Sequence, residues 1–168
     1  MPITQSWYDN AGLFQVYGVD QATTENAGEY RTPGKLREVE INLVLTAANF
    51  AFGATNYIPF DNVFIPAGVR IQEVETYVET AGAGATATLD VGLIRTDRST
   101  VTSATAFVAG KTVASMTAGE KVILTPGSTF AGALIGTTTA NVNYVSVRVN
   151  TANFTAGTIK VMIRYYRP

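Results

Sequence analysis

The 168-residue chain contains no cysteine and no histidine. Without cysteine it has no disulfide, no thiolate nucleophile and no soft metal site. Without histidine it lacks the side chain that most often acts as a general base or binds a transition metal near neutral pH. Only carboxylate, lysine, tyrosine or serine chemistry remains open to it. The sequence therefore predicts no metal ion, no cofactor and no enzymatic activity.

Charged residues are scarce, at 15% of the chain, and their signs nearly cancel, with 12 lysines and arginines against 13 acids. A nucleic-acid-binding protein needs excess positive charge to neutralise phosphates, so we expect no nucleic-acid partner. No apolar run approaches the roughly 18–20 residues of a membrane span. Residues 1–15 also lack the charged-then-apolar pattern of a secretory signal. We expect a soluble chain with no membrane partner.

So little charge cannot supply the polar outer faces of many long helices. The chain instead shows a period-2 alternation of apolar residues, which is typical of half-buried strands. The alternation is clearest over residues 39–45, 87–93, 145–149 and 159–165. Such segments, separated by turns rich in glycine, asparagine and threonine, predict an all-β fold. We expect an antiparallel β-sandwich, jelly-roll-like, of about eight strands.

Glycines before the strands and a break in the apolar alternation refine this prediction. Gly68, Gly119 and Gly157 each precede an alternating strand, and each should reverse the chain with a positive φ. The alternation breaks at Gln72 and Glu73, which predicts a β-bulge there.

Three segments are less regular. Residues 57–65 contain a proline, which suits an edge strand. Residues 99–120 fit an irregular strand or a helical turn, and residues 129–136 are predicted as a strand.

We interpret residues 1–34 as an extended N-terminal arm and loop, and residues 35–168 as a single β-sandwich domain. Large amphipathic rings near the chain ends are either core plugs or anchors of an interface between chains, because they are favoured in both places. For the arm we favour the interface role, since an arm has no core of its own. The candidate interface residues are Trp7, Tyr8, Leu13, Phe14, Tyr165 and Tyr166.

Two carboxylate pairs, Glu38/Glu40 and Glu73/Glu75, are the strongest catalytic candidates. The i, i+2 spacing places both members of a pair on one strand face, about 6–7 Å apart. That distance touches the lower end of the range for inverting glycosidases. Nothing near either pair supplies the apolar pocket that would raise one carboxyl pKa. We therefore interpret both pairs as part of a solvated outer face.

Charge is unevenly divided along the chain. Residues 1–80 hold ten acids and four bases, whereas residues 81–168 hold three acids and eight bases. Either strands from the two halves pair within one domain, or an acidic patch on one subunit meets a basic patch on its neighbour.

The segment Val63-Phe64-Ile65-Pro66-Ala67-Gly68-Val69-Arg70-Ile71 and the strand Thr88-Leu89-Asp90-Val91-Gly92 resemble small virion proteins of tailed bacteriophages. These are the head decoration (cement) proteins and related fibre-type proteins, and the similarity covers about residues 60–95. The resemblance implies a non-enzymatic β-sandwich with no catalytic residues to carry over. It also implies a homo-oligomer that binds the major capsid protein on the outer surface of a phage head, in a virion assembled in the host cytoplasm.

Several alternatives remain open. For the oligomer we favour a homotrimer, with a homodimer as the alternative. The main alternative function is a phage fibre or tail-tip adhesion module that binds host glycan, suggested by the threonine-rich loops. A hydrolase using a carboxylate pair and a jelly-roll shell protein of a small virus are the others. The acidic arm argues against the last, because such shells often carry a basic arm for the genome.

Overall fold

The part of the chain that the structure describes contains eight β-strands, arranged in two antiparallel sheets. The computed structural model describes residues 36–53 and 55–168, except for the side chain of Asp61. This described part has a single 3-10 turn, Val113–Ser115, and no helix long and apolar enough to cross a membrane. The strands are β1 (Arg37–Val44), β2 (Ile58–Ile65), β3 (Arg70–Ala83), β4 (Thr88–Arg95), β5 (Val101–Thr112), β6 (Lys121–Leu124), β7 (Asn143–Asn150) and β8 (Ala156–Tyr166).

The strand order is that of a jelly roll. Sheet 1 has the order β1-β8-β3-β6, and sheet 2 has the order β2-β7-β4-β5. Every connection passes from one sheet to the other except the one between β4 and β5. The predicted all-β, jelly-roll-like sandwich of about eight strands is confirmed. Leu36–Pro168 form one compact unit, while the predicted arm lies outside the described residues and stays a prediction.

The alternating apolar residues build the core between the sheets. In β8, Ile159, Val161 and Ile163 are fully buried, and they lie opposite the inward-facing residues of β1. Burying apolar surface in this way stabilises the fold by roughly 25 cal/mol per Å². The period-2 pattern thus fixes which face of each strand points to the core.

The structure contains the predicted bulge and two of the three predicted turns. Gly68, Gly119 and Gly157 have φ values of 73°, 83° and 138°, which side chains with a Cβ rarely adopt. The pairing of β3 with β8 shifts register between Ile71 and Glu73. The bulge and the turns at Gly68 and Gly119 are confirmed, whereas the predicted turn at Gly157 is wrong, because this glycine is the second residue of β8.

The segment between β6 and β7, residues 125–142, departs from the sequence prediction of a strand over residues 129–136. We call residues 125–142 the strap. Gly132 and Leu134 donate backbone hydrogen bonds to carbonyls of β5, whereas the carbonyl of Thr137 accepts one from the start of β3, each at 3.0 Å. Because the strap reaches from the edge of sheet 2 to sheet 1, it proceeds through successive turns instead of one straight strand.

Two residues of the Leu-Asp-Val-Gly segment in β4 hold sheet 2 together. Asp90 is buried, and its Oδ2 accepts hydrogen bonds from the Arg148 guanidinium at 2.6 and 3.2 Å and from the Asn150 amide. Its Oδ1 accepts a bond from the backbone N–H of Gly110 at 2.7 Å. Gly92 lies directly against the backbone of β5. The segment that carries the family resemblance therefore has a structural role.

Candidate interaction surfaces

The structure divides the predicted interface residues into two groups. Tyr165 packs in the core, because it has the same strand parity as the inward-facing residues of β8. Tyr166 lies on the opposite face and is half-buried. Of the two roles considered for the terminal rings, Tyr165 takes the core role within this chain, and the interface role of the others stays a prediction. The remaining four lie outside the described residues: Trp7, Tyr8, Leu13 and Phe14.

The outer face of sheet 1, which we call the charged face, carries a network of ion pairs. Arg164 of β8 stands between β1 and β3, and its Nε lies 2.6 Å from Glu38 Oε2. Its two Nη atoms lie 2.5 Å from Glu73 Oε1 and 3.3 Å from Glu75 Oε2. Glu75 Oε1 is 2.8 Å from the Nζ of Lys121 on β6. One network thus links all four strands of the sheet.

The network also bears on the catalytic interpretation of the carboxylate pairs. Glu75 is buried, so the expectation of a solvated position was wrong for this residue. Its hydrogen bond with Lys121 lowers the pKa of Glu75 against the opposing effect of burial, and the charges of Lys121 and Arg164 add to the lowering. The hydrogen bonds with Glu73 and Glu38 raise the pKa of Arg164.

A carboxyl group that serves as a general acid needs a pKa raised toward neutrality, and the pKa of Glu75 moves the other way. The described residues also contain no group of three or more acidic, histidine or cysteine side chains that could hold a metal ion. The chemistry that the charged face supports is ion pairing between strands.

The strand order brings the acids and the bases of the described strands of sheet 1 side by side. The acidic strands β1 and β3 come from the first half of the chain, the basic strands β8 and β6 come from the second, and they alternate across sheet 1. Lys160 of β8 pairs with Glu79 of β3 at 2.7 Å in the same way. Pairing within one domain, the first of the two explanations, is therefore confirmed.

Replacing Arg164 with methionine should lower the free energy of unfolding by about 2 kcal/mol at pH 7, because three carboxylates lose a shared cation that is only partly exposed. Lys121 holds the pKa of Glu75 below its ordinary 4.5, as does Arg164. The stabilisation from this shift is therefore present above that pH and is lost as the pH falls through the folded-state value. The difference between R164M and the parent should shrink in urea titrations at pH 3.

Arg167→Met provides the control, because Arg167 is exposed and its guanidinium reaches one backbone carbonyl at 3.5 Å. We expect R167M to change stability by less than about 0.5 kcal/mol. Equal effects of R164M and R167M would show that the network does not stabilise the sheet.

The outer face of sheet 2 carries a row of apolar side chains beside the Asp90–Arg148 ion pair. Phe64 of β2, Tyr144 of β7, Ile94 of β4 and Val101 of β5 are neighbours in register, and we call these four residues the apolar row. Ile94 is buried but does not belong to the core between the sheets. Phe64, at the end of the row, is 54% exposed. An exposed aromatic side chain within an apolar patch is typical of a contact surface.

Sequence reasoning does not single out Phe64 or Arg164. The run Val63-Phe64-Ile65 has no polar residue to show which side chain faces outward. Arg164 alternates with apolar residues like any outward-facing position, and its three acids come from segments about ninety or more positions away. Only the strand order brings these groups together.

The protein is therefore a jelly-roll sandwich with a charged face on sheet 1 and an apolar row on sheet 2. No protein-family model matches the sequence, and no curated protein matches it either. Among solved structures, the chain is similar to one in the capsid of Ralstonia phage GP4, with a TM-score of 0.54 and 21% identity over 82% of this chain and 88% of that one. It is also similar to a chain in the capsid asymmetric unit of cyanophage Pam1, with a TM-score of 0.45 and 17% identity over 89% and 100%. At these identities the likeness concerns the fold.

Proposed function

We propose that this chain is a non-enzymatic structural protein of a phage particle, and specifically a decoration protein. In this proposal it binds the major capsid protein on the outer surface of the head as a homo-oligomer and stabilises the shell. The observation that carries the proposal is the jelly-roll fold shared with a chain of the phage GP4 capsid over 82% of this chain. The resemblance of residues 60–95 to decoration proteins is an independent argument from the sequence.

A physical argument supports this role. A phage shell repeats one subunit many times, so a symmetric oligomer can contact several equivalent sites at once. Once one subunit of the oligomer is bound to the shell, the next subunit binds at a high effective concentration. Weak single contacts then give a high overall affinity for the shell. A rigid sandwich fixes the relative positions of these contacts with the shell. In the same proposal, assembly takes place in the host cytoplasm, and Tyr166 and the arm residues are candidate contacts.

The test mixes the purified chain with expanded heads and with unexpanded precursor shells that lack it, and then sediments the particles. We expect saturable binding to expanded heads at a copy number close to that of the shell subunit, together with a higher melting temperature of the decorated head. Failure to bind either particle would contradict the proposal. Saturation at a handful of copies would favour the fibre or tail-tip alternative.

The apolar row provides the matched variants for this experiment. Phe64→Asp places a charge in the row, whereas Phe52→Asp changes a similarly exposed phenylalanine outside it. We expect F64D to weaken head binding at least tenfold, as expected for an aromatic anchor of an interface, and F52D to bind like the parent. Equal binding of both variants would remove the apolar row from the contact surface.

A further inference from the structure

Sheet edges are the places where a β-protein can pair with another chain, and most natural edges are protected. Among the described strands, the sheet edges are β1 and β6 in sheet 1, and β2 and β5 in sheet 2. The edge strand β2 contains Pro59 and has an irregular register, β5 carries the strap, and β6 has four residues. Within the described residues, the edge strand β1 has none of these protections. Its eight residues pair with β8 in an uninterrupted register.

On the free side of β1, every second residue points its backbone N–H and C=O groups away from the sheet. The N–H of Leu45 donates to the carbonyl of Gly157 at 2.8 Å, so the odd-numbered residues of this strand direct their backbone groups toward β8. The even-numbered residues Glu38, Glu40 and Asn42 then direct theirs away from the sheet. Within residues 36–53 and 55–168, no backbone partner meets these groups.

The side chains along this edge are complementary to a second copy of themselves. Leu36 and Val44 lie four residues on either side of Glu40, on the same face, and are 52% and 46% exposed. If two β1 strands pair antiparallel about an axis at Glu40, Leu36 of each copy faces Val44 of the other. Glu38 then faces Asn42 of the second copy, which avoids a clash of like charges. The exposed apolar residues at both ends of the strand become buried together.

We propose that β1 pairs with β1 of a second copy of this chain, antiparallel about a two-fold axis at Glu40, and joins two charged faces into one eight-stranded sheet. This inference rests on the homo-oligomer of the proposed function, and it identifies β1 as the strand through which the copies associate. Glu38, Glu40 and Asn42 supply about six backbone hydrogen bonds between the copies. The carbonyl of Val44 takes no part, because it already accepts bonds within the chain from Thr46 and Asn49.

One contact opposes this pairing. The two Glu40 side chains lie directly opposite each other at the axis, and like charges in that position are unfavourable. Lys160, on the neighbouring strand, interacts electrostatically with Glu40 as well as with Glu79. Its positive charge offsets part of the repulsion, and removing the Glu40 charge should strengthen the pairing.

The first test measures the mass of the purified full chain by sedimentation over a range of concentrations. An isologous strand pairing closes at two copies, so we expect twice the 17.9 kDa of one chain, which is the homodimer and not the homotrimer favoured from the sequence. Glu40→Pro should abolish the dimer, because proline removes an outward N–H without removing a bond to β8. Glu40→Gln, the matched control at the same position, should tighten the dimer about two- to fivefold. A monomer or a trimer for the parent chain would overturn the proposal, as would an E40P dimer as stable as the parent's.

The second test uses the absence of cysteine and does not depend on how E40P folds. Facing residues of a hydrogen-bonded antiparallel pair have Cα atoms about 5.5 Å apart, which is within the range of a disulfide. Glu40→Cys should therefore form a covalent dimer under mild oxidation. Gln72→Cys, at an exposed position of β3, should not do so at the same rate. Equal cross-linking of the two variants, or none in E40C, contradicts the pairing.

These measurements use no phage shell, so the two proposals can fail separately. A monomeric chain that still binds expanded heads would contradict the β1 pairing and the homo-oligomer, but not the decoration role. A dimer that binds no head would leave the pairing in place and contradict the decoration role.

Discussion

Alanine at Gly92 is expected to lower the free energy of unfolding by about 3 kcal/mol, the upper end of what overpacking usually costs. A Cβ at this position would lie 2.3 Å from the carbonyl oxygen of Ser103 and 2.4 Å from that of Ala104. Both obstacles are backbone atoms of β5, which cannot move aside as a flexible side chain would. The whole strand must shift away from β4, and the loss should appear as a lower urea midpoint in equilibrium unfolding.

Gly127→Ala separates this contact from a general effect of glycine replacement. Gly127 has a φ of 86°, and a Cβ there would meet nothing within 4 Å. Its replacement should therefore cost only the strain of a left-handed backbone, about 1 kcal/mol. If G92A is no more destabilising than G127A, then β5 does not pack against β4 as closely as the structure has it.

The difference between these two glycines marks the limit of what the sequence can predict. Gly68 and Gly119 could be assigned as turns because a local pattern, a glycine just before an alternating strand, carries the information. The same is true of the bulge in β3, which appears as a break in the alternation. The role of Gly92 depends on a neighbouring strand whose own register is irregular, with Val91 opposite Val108 but Leu93 opposite Ser103. No local pattern encodes that contact.

The charged face shows the same distinction at the level of a site. The excess of acids in residues 1–80 and of bases in residues 81–168 already indicates that the halves attract each other. Whether they do so within one chain depends on the jelly-roll order, which places β8 between β1 and β3. The convergence of Glu38, Glu73 and Glu75 on Arg164 follows from that order. Composition predicts that a network can form, and only topology specifies its members.

Replacing Asp90 with alanine is expected to destabilise the fold most, by about 4 kcal/mol, because it breaks a buried ion pair from one side. Asp90 is 3% exposed, and its carboxylate accepts bonds from Arg148, Asn150 and the backbone of Gly110. Alanine leaves all three donors without this acceptor, on the outer face of sheet 2 where Asp90 is buried. The loss should be visible in urea unfolding at neutral pH, with the parent slope retained if the fold is unchanged.

Asp90→Asn and Asp97→Ala test whether the effect comes from burial and charge. Asparagine keeps an acceptor oxygen of similar size but removes the charge that Arg148 faces, so D90N should lose about half as much stability as D90A. Asp97 accepts hydrogen bonds from Ser99 and Thr100 in an exposed hairpin turn. Water can replace it there, and D97A should cost much less than D90A. If D97A and D90A are equally destabilising, the buried acceptor at Asp90 does not hold β4, β5 and β7 together.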